Sequence, residues 1–280
     1  MKVREWGKCT KNAVSVVIPV YNRFEMIAKT VRSVLNQDYC SIEIIIINDG
    51  STDSGFEVLL HTQIVSMVKD RIGAKLKYIE LERNHGACFA RNVGIKESCG
   101  KFIQFLDSDD LLHENKFSIQ TKDIESNNVL ISVSDFSIVD ESGKVIRTEK
   151  NCGSLITKAI LSRSIFTAAP LVRSSAIKNT IMWSENLPRL QDVDFWTRVI
   201  LLYQKWSYVE IPLCCYVDHS SSRISSQYTK RNLMKMTRAF NLIKIDYLFK
   251  VFANNGLRGV TLSLIASLYL IFSQLWGSFK

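Results

Sequence analysis

Three carboxylates lie within four residues in the segment Leu106-Asp-Ser-Asp-Asp110, directly after an apolar run. Like charges this close repel one another, and a bound cation relieves the repulsion. Hard oxygen ligands suit Mg²⁺ or Mn²⁺ held jointly with diphosphate oxygens, and they do not suit zinc. The same segment is also compatible with a solvated turn that caps the next helix, so on its own it leaves both interpretations open.

Two further polar segments could contribute to a ligand site. In Asn48-Asp-Gly-Ser-Thr-Asp53, a glycine would let the backbone approach a ligand while Asp49 accepts from a base N–H. The segment from Asn84 to Asn92 is a glycine-containing turn into a helix, and it could direct amide groups and Arg91 at a phosphate or a base. Taken singly, the segment at 48–53 is more typical of a plain turn that caps the next helix, and the segment at 84–92 is equally compatible with a structural turn.

The elements that must position these segments alternate between strand and helix patterns. Apolar positions recur at helical spacing from Phe24 to Leu35, and strands are predicted at 14–19, 43–48, 76–81 and 102–106. This alternation predicts βαβ units on a largely parallel sheet. Because ligands bind beyond the carboxyl ends of such strands, we expect the turns at 21–22, 49–51 and 107–110 to converge on one crevice.

After Val129 the pattern changes to shorter, mixed segments. A strand is predicted up to Asp135, a hairpin turn at 140–143, and a helix that starts at Gln191 with acids in its first turn. The chain has no internal repeat. We therefore predict one α/β catalytic domain at residues 1–222 and a basic helical extension at 223–280.

Composition limits the classes of protein to consider. The chain has 280 residues, 46% of them apolar, which is enough to bury a sizeable core. Its seven cysteines include no C-x-x-C pair and are interpreted as reduced thiols. The charged N-terminal stretch lacks the apolar run of a secretion signal, so we expect the active site to be exposed to the cytosol.

The net charge of +9 is concentrated near the end of the sequence. Residues 223–280 carry nine Lys or Arg and one acid, whereas 259–279 carry no charge. A basic region leading to an amphipathic segment suits an anchor at the interface of an anionic membrane. Core packing, dimerisation and a membrane-spanning helix remain the alternatives for this region.

Taken together and in order, these motifs resemble family 2 glycosyltransferases of GT-A fold, which have a Rossmann-like, mostly parallel sheet flanked by helices. The matching segments are Val17–Asn22, Asn48–Asp53, Asn84–Asn92, Leu106–Asp110 and Gln191-Asp192. Four of them follow one another in register over about a hundred residues, whereas any one alone would be a weak pattern.

The resemblance implies roles for individual residues. It implies that the nucleotide of a sugar donor is bound by Pro19, Tyr21, Asn22, Asp49, Arg91 and Asp107. It implies that Asp109 is the principal ligand of Mn²⁺ or Mg²⁺, with Asp107 beside it. The late segment Tyr216–Ser220 is similar to a family motif that ends in histidine, so His219 could face the diphosphate or the metal. A structural role for His219 remains the alternative.

Asp192 matches the second acid of the family's Glu-Asp pair, which is its usual general base. Gln191 stands where that pair has glutamate, and this departure leaves Asp194 as a rival for the base. The implied function is inverting transfer of a sugar, with UDP as the usual nucleotide, onto a hydroxyl group of an acceptor. The implied acceptor is a glycan linked to polyprenyl diphosphate in O-antigen or capsule synthesis, at the inner face of a bacterial plasma membrane.

The sequence argues against three other classes of protein. A nucleotidyltransferase usually opens with a glycine-rich basic loop after the first strand, and Pro19-Val-Tyr-Asn22 has no such loop. A catalytically inactive binding module would not need an acid at position 192. A nucleic-acid binder would use the basic tail, but the acids at the strand ends would repel phosphate in the absence of a metal.

Overall fold

The computed structural model describes residues 1–8, 10–53, 59–151, 165–178, 180–187, 190–203 and 205–219. The predicted extension at 223–280 and the predicted boundary at 222 lie outside the described residues. Within the described ranges, no helix is long and apolar enough to cross a membrane.

In the described part of the chain, ten strands form one mixed sheet. They are β1 (Lys2–Gly7), β2 (Val14–Val20), β3 (Ile42–Asn48), β4 (Ala74–Glu80), β5 (Phe102–Phe105), β6 (Leu111–Leu112), β7 (Ile131–Val139), β8 (Val145–Glu149), β9 (Pro170–Arg173) and β10 (Trp206–Val217). Their order is β1-β4-β3-β2-β5-β9-β7-β10-β6, and β8 pairs with β7. The central strands β4, β3, β2 and β5 run parallel, as the sequence predicts.

The helices are α1 (Phe24–Leu35), α2 (Val65–Lys69, after a π-helical turn at Leu60–Ile64), α3 (Ala87–Glu97), α4 (Lys116–Ser126), α5 (Ser174–Ile177) and α6 (Gln191–Tyr203). Helix α1 follows β2 and α3 follows β4. The crossover from β2 to β3 and the crossover from β4 to β5 run in opposite directions across the sheet. Because crossovers between parallel strands are right-handed, their helices α1 and α3 cover opposite faces.

The central strands form where the sequence is continuously apolar. Every residue of β3 is buried, and its run of four isoleucines at 44–47 fits a strand covered on both faces. Helix α1 buries Ile27, Val31 and Val34, the positions predicted from helical spacing. The sheet and its helices thereby share one large apolar core.

The second half of the sheet is antiparallel in most of its pairings. Strand β9 runs antiparallel to both β5 and β7, and the predicted turn at 140–143 joins β7 to β8 as a hairpin. Asp140 stabilises that turn by accepting hydrogen bonds from the backbone amides of Ser142 and Lys144, at 2.9 and 3.0 Å. Helix α6 begins at Gln191, as predicted.

Candidate active site

The turns after β2, β3 and β5 meet at one edge of the sheet and enclose a cavity of about 360 Å³. Parallel pairing brings the carboxyl ends of these strands together, as predicted. Among the residues that line the cavity are Pro19, Tyr21, Asp49, Arg91, Asp107 and Asp109. Five of the six residues expected to bind the nucleotide therefore share one cavity with the expected principal metal ligand.

Asn22 is the sixth residue predicted to bind the donor, and the structure places it differently. It does not appear in the cavity lining. Its side-chain oxygen accepts hydrogen bonds from the backbone amides of Thr52 and Asp53, at 2.8 and 3.3 Å. Asn22 therefore joins the turn after β2 to the turn after β3, which shapes the cavity from outside.

Asp49 is buried and organises the turn before α3. Its two carboxylate oxygens accept hydrogen bonds from the backbone amides of His85 and Gly86, at 2.8 and 2.7 Å. The next residue, Gly50, has φ +68°, and a Cβ there would lie 2.4 Å from the carbonyl carbon of Arg83. Only glycine therefore allows the two turns to pack this closely.

The three carboxylates after β5 occupy different surroundings. Asp107 and Asp109 are half-buried in the cavity, whereas Asp110 is buried and accepts a hydrogen bond from the backbone amide of Val217 at 3.2 Å. Burial, followed by the charges of Asp107 and Asp109, raises the pKa of Asp110 well above its usual value. Asp110 thus anchors the end of β10, a role that the sequence did not indicate.

The pKa of Asp109 is also raised, first by burial and second by the charge of Asp107. Arg23, which also lines the cavity, opposes this effect. Arg23 was not predicted as a site residue; its position directly after the Val-Tyr-Asn segment was the only signal for it in the sequence. A divalent cation at Asp109 would offset the repulsion from Asp107, which is the second of these two causes.

We tested whether the side chains present fit Mg²⁺ or Mn²⁺. No group of three or more His, Cys, Asp or Glu side chains is arranged to hold a metal in the described part of the chain. The predicted set of Asp107, Asp109 and His219 is therefore not assembled as a preformed centre. Mg²⁺ is commonly held by one or two carboxylates together with substrate phosphates, and Asp107 and Asp109 fit that arrangement.

His219 lies in a second cavity of about 370 Å³ that shares Asp109 with the first. Its Nδ1 atom is 3.1 Å from an oxygen of Glu141. Its Nε2 atom is buried and has no hydrogen-bond partner among the described residues. The structure therefore places His219 next to Asp109, held by the β7–β8 hairpin.

Arg91 lies at the floor of the first cavity and is 6% exposed. Its Nη2 atom is 2.5 Å from Oδ1 of Asp107, and its Nη1 atom is 3.5 Å from Oε1 of Gln191. Burial alone would lower the pKa of the guanidinium, but the charge of Asp107 and a smaller contribution from Asp192 raise it. Arg91 thus connects the acids after β5 with the start of α6.

Asp192 and Asp194 both lie in the first turn of α6. Asp194 is buried, its carboxylate is 2.6 Å from Nη2 of Arg198, and it accepts a hydrogen bond from Ser184 at 2.7 Å. Asp192 is half-buried and interacts electrostatically with Arg91. Asp194 is thus committed to contacts inside the protein, whereas Asp192, the predicted base, lies near Arg91 and is not among the described residues that line either cavity.

An aromatic cluster supports the start of α6. Trp183 stacks on Phe195 with ring centres 4.2 Å apart, and both rings make T-shaped contacts with Phe105, the last residue of β5. The guanidinium of Arg91 lies 4.5 Å from the centre of the Trp183 ring. Trp183 was not predicted as part of the site, because no local pattern marks it.

The sequence profile of the family "Glycosyl transferase family 2" matches residues 15–176. An uncharacterized glycosyltransferase of Rickettsia bellii is 37% identical over 174 residues, which are 62% of this chain and 24% of that protein. One of Haemophilus influenzae is 28% identical over 254 residues, 87% of this chain and 96% of that protein. The chain spans about a quarter of the length of the Rickettsia relatives that it matches.

A third relative is the Escherichia coli protein UDP-Glc:alpha-D-GlcNAc-diphosphoundecaprenol beta-1,3-glucosyltransferase WfgD. It is 30% identical over 164 residues, 54% of this chain and 61% of that protein.

Solved structures confirm the predicted GT-A fold. Residues 1–349 of S. aureus TarS in complex with UDP-GlcNAc superpose with a TM-score of 0.64 at 20% identity, covering 82% of this chain and 66% of that chain. The mannosyltransferase PcManGT of Pyrobaculum calidifontis, in complex with GDP-Man and Mn²⁺, gives a TM-score of 0.60 at 14% identity, covering 94% and 71%.

The family profile spans β2 to α5, including all of the turns that enclose the first cavity. Since this match covers more than half of the sequence, the chain belongs to glycosyl transferase family 2.

Proposed function

We propose that this chain is an inverting, metal-dependent glycosyltransferase that transfers a sugar from a UDP-sugar to a hydroxyl group of an acceptor. One observation carries the proposal: residues of the turns after β2, β3 and β4 share a cavity with Asp107 and Asp109, which follow β5, and Arg91 connects this cavity to the first turn of α6. The choice of UDP is supported by the UDP-GlcNAc in the TarS complex and by the UDP-Glc in the name of WfgD.

In this proposal, Asp49 and Tyr21 bind the base of the donor. The carboxylate of Asp49 already accepts one amide at each oxygen, and each oxygen has a second acceptor position. Asp49 can therefore accept a base N–H without releasing the turn before α3. Pro19 lies on the same wall and contributes apolar contact.

Asp107 and Asp109 would hold Mn²⁺ or Mg²⁺ in the first cavity. When bound, the ion would supply positive charge to balance the negative charge of the departing diphosphate. Arg23 lies close enough to Asp109 to influence its charge, so its guanidinium can contribute to the same neutralisation.

Asp192 accepts the proton of the acceptor hydroxyl as that oxygen attacks the sugar. Its place in the first turn of α6 and its electrostatic interaction with Arg91 support this role. Asp194 is not suited to it, because its carboxylate is occupied by Arg198 and Ser184 inside the protein.

We further propose that the acceptor is a lipid-linked glycan of bacterial surface-polysaccharide synthesis, used at the inner face of the plasma membrane. The diphosphoundecaprenol in the name of WfgD supports this class of acceptor. The basic composition of 223–280 supports peripheral contact with an anionic membrane. Co-sedimentation with anionic vesicles, compared with neutral ones, tests the contact.

A thermal-shift screen tests the donor. UDP-, GDP- and dTDP-sugars are added with Mn²⁺ or with a chelator, and the midpoint of unfolding is measured. A donor at about 100 times its Kd stabilises the native state by about 2.7 kcal/mol, which corresponds to several degrees. We expect this shift with a UDP-sugar and Mn²⁺, and a much smaller one in chelator.

Asp109→Asn should lose the metal-dependent part of the shift. Asp70→Asn, which removes an exposed carboxylate beyond α2, is the matched control and should keep all of it. The anomeric configuration of the product, read by NMR, tests for inversion. The proposal fails if no nucleotide sugar raises the midpoint of unfolding in the presence of Mn²⁺.

A further inference from the structure

Three polar side chains of α1 hydrogen-bond to the backbone of the acidic segment and of the residues that follow it. They are Thr30, Ser33 and Gln37, whose spacing places them on one face of the helix. The hydroxyl of the first donates to the carbonyl of Ser108 at 2.8 Å. The second accepts from the backbone amide of Leu112 at 3.1 Å, and the third donates to the carbonyl of His113 at 2.7 Å. Helix α1 therefore supports the backbone that carries the acids after β5.

The hydrogen bond from Thr30 is the one nearest to the predicted metal ligands. Ser108 stands between Asp107 and Asp109, so its carbonyl belongs to the peptide unit that leads into Asp109. Thr30 is fully buried, and Ser108 is 7% exposed. A buried carbonyl that loses its partner is costly, so this pairing constrains the peptide unit strongly. The hydroxyl of Thr30 thus fixes the orientation of the backbone from which Asp109 projects.

The partner of Thr30 is unusual for a threonine inside a helix. Such hydroxyls commonly bond to the carbonyl four residues earlier in the same helix. The hydroxyl of Thr30 instead reaches a residue 78 positions later in the chain. Its helix is a firm support, because Ile27, Val31 and Val34 on the apolar side are fully buried.

The charges of the segment explain why a support is needed. Asp107, Asp109 and Asp110 lie within four residues, and like charges at that spacing push one another apart. A cation binds tightly only where its ligands are already held close to their bound positions. Residues behind the ligands that orient them commonly account for about 10- to 100-fold in metal affinity.

We propose that Thr30 is a positioning residue for the metal-binding acids: its hydroxyl holds the carbonyl of Ser108, and thereby the backbone that presents Asp109 to Mn²⁺ or Mg²⁺. This inference rests on the proposed function and deepens it. It assigns to Thr30 an effect on metal affinity, whereas a residue that serves only the packing of α1 would affect stability alone.

Thr30→Val and Thr30→Ser test the proposal, since valine keeps the shape of threonine without the hydroxyl and serine keeps the hydroxyl. Two affinities are measured for each variant: the Kd of Mn²⁺ at a fixed concentration of UDP, and the Kd of UDP in chelator. We expect Thr30→Val to weaken Mn²⁺ binding by about tenfold, while Thr30→Ser stays within about threefold of the wild type. The Kd of UDP in chelator should change by less than about twofold in both, because the donor pocket itself is intact.

Thr121→Val is the matched control. Thr121 is 7% exposed, and its hydroxyl donates to the carbonyl of Phe117 at 2.6 Å, within α4. The substitution removes a buried hydroxyl of the same kind, away from the acids. It should lower the midpoint of unfolding, as Thr30→Val does, but leave both affinities at wild-type values.

An unchanged Kd of Mn²⁺ in Thr30→Val would overturn the proposal, as would an equal loss of Mn²⁺ affinity in Thr30→Ser. A loss of UDP affinity in chelator as large as the loss of Mn²⁺ affinity would also overturn it, because the whole pocket would then be disturbed. If Thr30→Val does not fold, Thr30→Ala decides, since it removes the hydroxyl without placing a methyl group against the carbonyl of Ser108. We expect the same loss of about tenfold in that variant, and unchanged Mn²⁺ affinity contradicts the proposal.

Failure of the proposed function gives a different result. The wild-type protein would then not bind UDP in the presence of Mn²⁺. If the wild type binds UDP with Mn²⁺ and a folded Thr30→Val binds both equally well, only the role of Thr30 is refuted.

Discussion

Asp192 and Asp194 are two residues apart, and on a helix that spacing points their side chains in different directions. We expect Asp192→Asn to lower transfer by roughly 10²- to 10⁴-fold, because the carboxamide keeps the shape of the side chain but cannot take a proton. The affinity for UDP should not change. Turnover with water or with an acceptor, measured alongside UDP binding, checks both statements.

Asp194→Asn is the paired variant, and it should affect stability more than chemistry. It weakens the ion pair with Arg198, whose Nη2 atom is 2.6 Å away in a largely buried setting. Breaking such a pair costs about 3 kcal/mol, which denaturant unfolding detects. Full transfer activity in Asp192→Asn, or loss of activity in a folded Asp194→Asn, would assign the role of general base to Asp194.

At the scale of residues, the sequence predicted several of the side chains that meet, but not all of the contacts that each one makes. Tyr21, Asp49 and Asp109 were expected to converge because parallel pairing fixes where strand ends lie, and they line one cavity. The link from Asn22 to Thr52 could not be predicted, since it depends on the distance between two turns. The ion pair of Asp194 with Arg198 was not predicted, although the two residues are four apart, a spacing at which side chains meet on a helix.

At the scale of elements, the packing of α3 on the sheet depends on Gly94. A Cβ at this position would lie 2.3 Å from Cγ1 of Val17 and 3.2 Å from Cδ1 of Ile47, both fully buried. We expect Gly94→Ala to lower the free energy of unfolding by about 1–3 kcal/mol, even though alanine favours helix. Denaturant titration measures this.

The double variant Gly94→Ala with Val17→Ala is the control. Val17→Ala alone leaves a cavity, but together the two changes should fit, so the combined loss should be smaller than the sum of the single losses. Strict additivity would show that α3 does not press on Val17.

The central strands could be predicted because each is a continuous apolar run. Strand β1 was missed: it is short and charged, it is exposed at the sheet edge, and it pairs antiparallel with β4. Ion pairs from Glu5 to Lys75 and Lys77, about 70 residues later in the chain, help to hold β1 against β4. Local periodicity carries no information about such pairings.

At the scale of the whole molecule, Lys116 gives the stability of the fold a dependence on pH. It is fully buried at the start of α4, where its Nζ donates to Gln120 at 2.6 Å and to the carbonyl of Ala169 at 3.0 Å. Burial lowers its pKa from 10.5 to about 8. Between pH 8 and 10.5, approximately, Lys116 is protonated in the unfolded chain but largely neutral in the folded one, so the unfolded chain binds more protons.

This group therefore contributes stability that grows as pH rises from about 8 towards 10.5, by a total on the order of 3 kcal/mol. Free energies of unfolding measured between pH 7.5 and 9.5 should show the rise. Lys116→Met keeps the length of the side chain and should remove the rise. If the free energy of unfolding of the variant rises with pH as steeply as that of the wild type, the pH dependence comes from other groups.

The order of strands in the second half of the sheet illustrates the limit of prediction at this scale. Strand β10 runs parallel to β7 and also pairs with β6, about one hundred residues earlier in the chain. Such long-range pairings depend on how complete elements fit together. The hairpin at 140–143 was predictable because its turn is local.

Asp109 belongs to both cavities, and this affects how experiments at the site must be interpreted. A substitution of Asp109 alters both cavities at once, so a loss of activity would not identify which bound ligand was affected. Asp49 borders one chamber and Lys29 borders the other. Changes at those two positions separate the chambers, and comparing them shows which molecule each chamber receives.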